Sequence, residues 1–339
     1  MSRSMAVPHV CSDRPSSLLS ISRRPAMRSI LPTSNPASGS TSPAAWSRNR
    51  ATTANTSTSS GCCRSAKASR REGTMMAPSR INDPDEALDQ TPNLSFSRIN
   101  RYLTCPEQYR LYYLERLRPK VESGGLVFGA RIHLALADLF RSGVDPVETF
   151  QKDWESLKEI DLDYGKRDSW ESLREKGAKL LEKFLKREAP KIREIESVEK
   201  KFELRVTLLD LLFVGIADLV AQVNGQKTVV DFKTSGSDYD NHEVVLSDQL
   251  TAYWLADPEA ERVAFCVLVK TKDPHIEWHF AERDAERLTE YLAKVQIIAE
   301  DITRGKFYKR PGKWCSYCDF LPVCLGDKKK VQETLVSIS

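Results

Sequence analysis

The stretch that decides the fold runs from Phe213 to Thr234 and reads FVGIADLVAQVNGQKTVVDFKT. Two runs rich in β-branched residues flank the dipeptide Asn224-Gly225. Asn-Gly favours a two-residue type I′ turn, because both central residues of that turn need a positive φ angle. The pattern therefore predicts a β-hairpin whose two strands meet at this dipeptide.

A two-residue turn also fixes which residues of the two strands face each other. Leu219 should face Val230, and one step further from the turn Asp218 should face Asp231 as a non-hydrogen-bonded pair. Side chains two residues apart share a face, so Lys233 joins the two carboxylates. Opposed like charges destabilise a sheet, so we expect a divalent cation to compensate them. The alternative is a solvated outer face on which the lysine is a surface partner.

These residues resemble the signature of the PD-(D/E)xK nuclease superfamily, in which an acid on one strand precedes Asp/Glu-x-Lys on the next. Asp218 matches the first acid, and Asp231-Phe232-Lys233 matches the second element. Ala217 departs from the pattern, which has proline before the first acid. The resemblance implies an α/β fold of the restriction-endonuclease-like type, with a mixed central sheet flanked by helices. It also implies Mg²⁺ or Mn²⁺ held by the two aspartates and the Phe232 carbonyl, with the lysine catalytic.

Two further patterns resemble the RecB-like members of this superfamily. The first is Gly-x-x-x-His over residues 129–133, in a predicted helix. A histidine on an apolar helix is typical of a core residue, but the resemblance implies that His133 is a further metal ligand. The second is Gln-x-x-x-Tyr over residues 249–253, also in a predicted helix. The resemblance implies that Gln249 and Tyr253 hold the DNA strand or orient the catalytic lysine.

Cysteine spacing near the C-terminus predicts a metal site. Cys315, Cys318 and Cys324 form a Cys-x2-Cys-x5-Cys trio, and in a reducing interior such spacing favours a metal over disulfides. Cys105 is the only other cysteine outside the N-terminal segment and the predicted strand 262–270, so we expect it to be the fourth ligand. Zinc and iron–sulfur clusters both accept four thiolates. The arrangement resembles AddB-type and CRISPR-associated exonucleases, which implies a [4Fe–4S] cluster, with Zn²⁺ as the alternative.

The first 74 residues differ in composition from the rest of the chain. They are rich in Ser, Thr, Arg, Pro and Ala, and they hold 11 of the 51 basic residues but only 2 of the 47 acidic ones. Such a composition predicts disorder, which we place over residues 1–90. It also fits an organelle transit peptide or a nucleic-acid-binding arm. We favour a third interpretation, in which translation starts at Met75 or Met76.

The remaining residues carry 40 basic against 45 acidic side chains, so bulk charge does not favour nucleic-acid binding and a local basic patch is needed. Residues 304–314 (RGKFYKRPGKW) combine five basic residues with three aromatic ones. This combination is typical of a groove for single-stranded DNA. The alternative is a solvated loop with its rings packed under the cysteine site. Candidate DNA contacts are Lys306, Tyr308, Lys309 and Arg310.

We expect one nuclease domain over residues 91–327. It would include a charged helical insert (145–200) and a cysteine-rich module (305–327), and a C-terminal tail (328–339) would follow it. No stretch approaches the length of a transmembrane helix. We expect a cytoplasmic, nucleoid-associated protein with no membrane contact, and the composition of the N-terminus leaves organelle targeting open.

Together these features predict a Mg²⁺- or Mn²⁺-dependent DNA nuclease. We expect an exonuclease that hydrolyses phosphodiester bonds of single-stranded DNA or duplex ends in repair or recombination. A helicase or a CRISPR-adaptation protein is the expected partner. Two alternatives are a non-catalytic nucleic-acid-binding partner in a repair or CRISPR-adaptation complex, and a zinc-stabilised scaffold. The intact trio of two aspartates and a lysine favours the enzyme. His275, Trp278 and His279, on a predicted return strand, are interpreted as structural or rim residues.

Overall fold

A computed structural model of the chain describes residues 93–206 and 211–338. The segment predicted to be disordered, with its candidate start sites at Met75 and Met76, lies outside these residues. The predicted nuclease motifs and the cysteine-rich module lie within them. No helix in the described part of the chain is long and apolar enough to cross a bilayer.

The described residues form one large sheet and two short ribbons. The strands are β1 (Asn93–Leu94), β2 (Leu117–Pro119), β3 (Glu122–Ser123), β4 (Leu162–Asp163), β5 (Ile192–Val206), β6 (Leu211–Val223), β7 (Gln226–Ser235), β8 (Arg262–Val269), β9 (His275–Ala281) and β10 (Leu335–Ser337). The large sheet has the order β1-β6-β7-β8-β9, with β5 also paired to β6. The β1/β6 and β7/β8 pairs are parallel and the others are antiparallel, so the sheet is mixed.

Helices cover both faces of this sheet. They are α1 (Phe96–Thr104), α2 (Pro106–Tyr109, continued by a π-helical turn Arg110–Leu114), α3 (Gly124–Ser142), α4 (Pro146–Glu155), α5 (Trp170–Arg187), α6 (Asn241–Val245), α7 (Asp248–Trp254), α8 (Ala285–Thr303), α9 (Leu321–Leu325) and α10 (Lys328–Thr334). One hydrophobic core lies between the sheet and α3, α4 and α5, and the other between the sheet and α1, α7 and α8. This arrangement confirms the predicted mixed central sheet flanked by helices.

The predicted hairpin is formed by β6 and β7. Asn224 and Gly225 have φ angles of 52° and 80°, as a type I′ turn requires. Leu219 faces Val230, which confirms the register predicted from the two-residue turn. Both side chains pack with Phe232 in the core beneath α3. The apolar face of the hairpin was therefore predicted correctly.

The two strands of the hairpin separate beyond the pair of Leu219 and Val230, where their ladder ends. Further along the strand, at Leu212 and Phe213, β6 pairs with β1, whereas β7 continues beside β8, so the sheet forks. Asp218 and Asp231 stand on the two sides of this fork. The prediction that they form a cross-strand pair was wrong. The reason is that the Phe232 N–H, which a regular ladder would direct to the backbone of β6, donates to the Asp218 carboxylate instead.

The edge strand β5 begins earlier than the sequence indicated. β5 starts at Ile192, inside the predicted helical insert over residues 145–200. A bulge between Arg193 and Ser197 lets this charged run stay paired with β6. Edge strands accept charged residues because one of their sides faces solvent. The helical part of the insert is α4 and α5, which pack on α3.

The C-terminal segment returns to the beginning of the domain. The residues expected to be a C-terminal tail form α10 and β10, and β10 pairs antiparallel with β2. Leu111, Phe320 and Leu335 form a small separate core there. A short 3₁₀ helix (Lys313–Tyr317) and α9 complete the cysteine-rich module. The module therefore packs next to α1 and α2.

Candidate active site

Asp218 lies on β6 at the fork and makes two short contacts. Its Oδ2 accepts the Phe232 N–H at 2.8 Å and lies 3.4 Å from Nδ1 of His133. Burial opposes ionisation of this carboxyl. The charges of His133 and Lys233 and the backbone donor outweigh burial, so the pKa of Asp218 is below its usual value. Asp218 is therefore an anion at neutral pH.

Asp231 lies on β7 and is almost completely buried, with 3% of its side chain exposed. Its Oδ1 accepts a hydrogen bond of 3.0 Å from Nε2 of Gln249. Its Oδ2 lies 2.6 Å from Nζ of Lys233, yet it receives no hydrogen bond of regular geometry from the described residues. Burial, together with the Asp218 charge, raises the pKa of Asp231 to about 6 although Lys233 opposes the shift.

Lys233 is the third member of the predicted trio. Burial favours the neutral amine, but the charges of Asp231 and Asp218 outweigh it and raise the pKa of Lys233. The side chain therefore stays an ammonium, which can donate hydrogen bonds but cannot accept a proton. It faces an open cleft of about 470 Å³ whose lining includes Tyr239 and Gln249.

His133 reaches the site because α3 packs closely against the end of β7. Gly129 lies one turn before His133 on α3, and a Cβ at this position would be 3.0 Å from Oγ1 of Thr234. A larger residue would push the helix away from the strand, which gives a physical reason for the Gly-x-x-x-His spacing. Burial opposes protonation of His133, but Asp218 outweighs it and raises the pKa of the imidazole.

The helix α7 brings Gln249 to the site from the opposite face of the sheet. Ser247 caps this helix by accepting the N–H of Leu250 at 3.1 Å, which places Gln249 in the first turn. Tyr253 lies one turn later, and its ring packs edge-to-face on Phe202 with centroids 6.1 Å apart. The contact of Gln249 with Asp231 is thus direct, whereas a role for Tyr253 in DNA binding or lysine orientation stays a prediction.

The side chains at the fork have the chemistry of a divalent-cation site. The two carboxylates offer the oxygen ligands that Mg²⁺ and Mn²⁺ share, and the imidazole beside them favours Mn²⁺. Among the described residues, Oδ2 of Asp231, the oxygen that would face a cation, is held only by its ion pair with Lys233. The ligand atoms of Asp218, Asp231 and His133 do not all lie within 4.8 Å of one another in the described chain. A role for the Phe232 carbonyl as a ligand stays a prediction; its ring packs on His133 with centroids 6.4 Å apart.

Sequence reasoning missed Glu199 on β5. The register of β5 with β6 places it across from Asp218, and it lines a small cavity together with His133 and Asp218. Its φ angle of 48° is unusual for a residue other than glycine, and such strain is often found at functional sites. It also forms an ion pair with Arg141. A glutamate in a charged run carries no signal of its own, so only the three-dimensional register reveals it.

The four predicted cysteine ligands line one cavity of about 350 Å³. Cys105 lies at the turn between α1 and α2, whereas Cys315, Cys318 and Cys324 come from the C-terminal module. Nε2 of Gln108 lies 3.8 Å from Sγ of Cys318, within reach of an N–H···S hydrogen bond. Burial raises the pKa of Cys318 and of Cys324. The fold therefore brings the distant cysteine together with the trio.

The segment proposed to contact DNA runs beside this cavity. Three of its five cations bind protein oxygens: Lys306 pairs with Asp301, Lys309 donates to the Cys324 carbonyl and Arg310 donates to the Leu103 carbonyl. The ring of Tyr308, in contrast, is 59% exposed. The described cations thus anchor the segment to the protein, and DNA contact by these four residues stays a prediction.

Residues 93–325 match the family model of the PD-(D/E)XK nuclease superfamily. The chain belongs to this superfamily. The match covers the hairpin with its two aspartates and lysine, the helix that carries His133 and the cysteine-rich module. It confirms the restriction-endonuclease-like class that the sequence predicted.

Two solved structures are similar to this PD-(D/E)XK protein. One is a candidate exonuclease from Eubacterium rectale, with a TM-score of 0.45 and 13% identity over 73% of this chain and 93% of that chain. The other is the protein SSO0001, with a TM-score of 0.35 and 18% identity over 71% of this chain and 91% of that chain. No protein with a curated description matches the sequence. The family assignment depends on the family match and not on these structures.

Proposed function

We propose that this PD-(D/E)XK protein is a Mg²⁺- or Mn²⁺-dependent deoxyribonuclease that digests DNA from its ends. The observation that supports it is the convergence of two carboxylates, an ammonium and an imidazole at the fork between β6 and β7. Family membership supports phosphodiester hydrolysis, and the metal and the mode of digestion go beyond it. Such an activity would serve DNA repair, recombination or related processing. A helicase or CRISPR-adaptation partner is a hypothesis from the resemblance alone.

Asp218, Asp231 and His133, with the Phe232 carbonyl, would hold the cation. Mg²⁺ or Mn²⁺ bound there would activate water and neutralise charge on the phosphate. Both aspartates must be anions for this. Asp218 meets the condition at neutral pH because its pKa is lowered, and Asp231 meets it above its pKa of about 6. Gln249 would orient the Asp231 carboxylate through its hydrogen bond.

Lys233 would act as a hydrogen-bond donor. Its raised pKa favours the ammonium before a cation binds, and in that form it would position the attacking water and stabilise the charge on the phosphoryl oxygens. In the reaction the water oxygen forms a bond to phosphorus and one P–O ester bond breaks. One proton of the water goes to solvent and the leaving oxygen takes up another. The products are a phosphate monoester and an alcohol.

The test is digestion of linear, end-labelled DNA and of covalently closed circular DNA with Mg²⁺ or Mn²⁺. We expect the wild type to degrade only the linear DNA, and only with metal present. Asp231→Ala and Lys233→Ala should each lower the rate at least about 100-fold. A matched control is the pair Glu175→Ala and Lys179→Ala, which removes an exposed carboxylate and ammonium 2.6 Å apart on α5.

Three results would contradict the proposal. Equal digestion by wild type, Asp231→Ala and Lys233→Ala would show that the active site does not lie at the fork. Digestion that continues in excess chelator would exclude the metal. Degradation of closed circular DNA as fast as linear DNA would show that the protein is an endonuclease and not an exonuclease.

We also propose that Cys105, Cys315, Cys318 and Cys324 bind a [4Fe–4S] cluster, with Zn²⁺ as the alternative. The support is the size of their shared cavity, about 350 Å³. Sulfurs around tetrahedral zinc lie about 3.8 Å apart, as follows from a Zn–S bond of about 2.3 Å. Among the described cysteines no three Sγ atoms lie within 4.8 Å of one another. The ligand atoms at the fork do not meet this distance either, so the preference for a cluster rests on the cavity and on the resemblance of the cysteine spacing to cluster-binding exonucleases.

Anaerobically purified protein tests this assignment. A cluster predicts absorption near about 400 nm together with iron and sulfide, whereas zinc predicts a colourless protein. Cys105→Ser should lose the absorption. Cys266→Ala is the matched control, because this thiol is buried in β8 and lies outside the cavity. A colourless wild type with one zinc per chain would reject the cluster, and unchanged absorption in Cys105→Ser would reject Cys105 as a ligand.

A further inference from the structure

A second group of potential metal ligands lies beside the active site. It consists of Asp238, on the segment after β7, and His275 and Glu277 on β9. Nε2 of His275 is 3.1 Å from Oδ1 of Asp238 and 3.4 Å from Oε1 of Glu277. The three ligand atoms all lie within 4.8 Å of one another, and within residues 93–206 and 211–338 no other three His, Cys, Asp or Glu side chains meet this condition.

The orientation of His275 is set by a group outside this cluster. Its Nδ1 lies 3.1 Å from the carbonyl oxygen of Asp273. A carbonyl oxygen can only accept, so Nδ1 carries a proton and Nε2 is the atom directed at the two carboxylates. An Nε2 lone pair facing two anions requires a positive charge, which is either a second proton or a cation. Metal-binding histidines commonly donate their other N–H to a carbonyl in this way.

Glu277 is also held from outside the cluster. Its Oε2 accepts the backbone N–H of Tyr239 at 3.2 Å and lies 3.1 Å from Nε2 of His279. This leaves Oε1 directed at His275. Alternate residues of a strand share a face, so the side chains of β9 that make these contacts are aligned by the strand itself. Two of the three ligands are therefore oriented without a cation.

We propose that Asp238, His275 and Glu277 form a second divalent-cation site that prefers Mn²⁺ or Zn²⁺ to Mg²⁺. One imidazole and two carboxylates give a mixed nitrogen and oxygen donor set. Such a set suits Mn²⁺ and Zn²⁺, whereas Mg²⁺ prefers oxygen ligands and gives up water reluctantly. The site shares no ligand with the cation site proposed at the fork.

A cation at this site would join the segment after β7 to β9. Tyr239, the neighbour of Asp238, packs edge-to-face on Phe265 with centroids 5.9 Å apart. Tyr239 and Phe265 both line the cleft in front of Lys233. The cation would thus hold one wall of the cleft in place, which is a structural role next to the reacting atoms.

The test is a titration of the full chain with Mn²⁺ followed by electron paramagnetic resonance. Mn²⁺ is the probe because the thiolates of the cysteine-rich module bind it poorly. The titration uses an Asp218→Asn/Asp231→Asn background, in which the fork has lost its carboxylates. We expect one bound Mn²⁺ per chain in this background, displaced by Zn²⁺ beyond the amount that the cysteine-rich module binds but not by a large excess of Mg²⁺. Adding Asp238→Asn or His275→Gln should weaken it at least about tenfold.

A weaker binding of Mn²⁺ in these variants should not result from unfolding. The side chain of Asp238 is 67% exposed, so its substitution leaves the core intact. His242→Gln in the same background is the control for removing a histidine outside the group.

The second site would be overturned if the background variant bound no Mn²⁺, or if it bound Mn²⁺ equally well with and without Asp238→Asn. In either case a proton on Nε2 of His275, and not a cation, would balance the charge of Asp238 and Glu277. Failure of the cation site at the fork would give a different result. The Asp218→Asn/Asp231→Asn variant would then bind as many Mn²⁺ ions as the wild type and would keep the wild-type nuclease activity.

Discussion

Substitution of Asp218 separates its structural contact from its proposed contact with the metal. Asp218→Asn keeps an oxygen that can accept the Phe232 N–H but removes the charge beside His133. Asp218→Ala removes both. We therefore expect the two variants to lose nuclease activity alike and to differ in stability.

The size of the stability difference follows from burial. Phe232 is 3% exposed, so in Asp218→Ala its N–H loses its partner inside the protein. A buried donor without a partner costs about 1–3 kcal/mol. In a domain of this size each kcal/mol shifts Tm by about 2–4 °C, so Asp218→Ala should melt about 2–12 °C below Asp218→Asn.

The missing charge affects both variants equally. The pKa of Asp218 is lowered in the folded protein, so its ionised form stabilises the fold above the ordinary pKa of about 3.9. Both variants should therefore melt below the wild type at about pH 7, and this part of the difference should shrink as the pH falls through the lowered pKa. Loss of a ligand charge should also reduce kcat/KM at least about 100-fold in both.

The assay combines thermal unfolding in chelator, followed by circular dichroism, with digestion of end-labelled DNA. Equal Tm values for the asparagine and alanine variants would refute the hydrogen bond as the structural contribution of Asp218. Digestion at the wild-type rate by Asp218→Asn would refute Asp218 as a metal ligand.

Three further predictions concern the same site. Gln249→Leu removes the donor to the buried Asp231, so the Mn²⁺ concentration for half-maximal digestion should rise about 10–100-fold and Tm should fall. An unchanged concentration would exclude a role for the hydrogen bond in metal binding. Below the Asp231 pKa of about 6, a proton competes with the cation for this carboxylate. The digestion rate at limiting Mn²⁺ should therefore fall about tenfold per pH unit and recover in excess Mn²⁺. A rate that does not change with pH in this range would contradict the raised pKa. Gly129→Val should push α3 away from β7, move His133 and lower the nuclease activity. Gly125→Ala should keep the activity, because a Cβ there meets only ordinary contacts. Equal activities of the two variants would show that close packing at Gly129 does not position His133.

The parts of the fold that depend on local chemistry were predictable from the sequence. Asn224-Gly225 determines the turn and with it the register of Leu219 with Val230. The joint position of Cys105 and the C-terminal trio was also predicted, because few cysteines remain once the N-terminal segment and β8 are set aside.

The parts that depend on distant segments were not predictable. The fork exists because β1 takes the place of β7 as the neighbour of β6. No pattern within the hairpin sequence indicates this change of neighbour. Glu199 enters the site through the register of β5, and Asp238 meets His275 only because the segment after β7 lies beside β9. Each of these neighbours comes from outside the window that a sequence pattern covers.

The cysteine cavity constrains the order in which the protein can be completed. Its walls come from residues 104–111 and 309–325, so the four cysteines are complete only when residue 324 has left the ribosome. The sheet and its carboxylates are synthesised earlier and can begin to fold without it. The proposed ion or cluster would therefore load only after the sheet has been synthesised, and its shortage would leave chains with a formed sheet but unjoined ends.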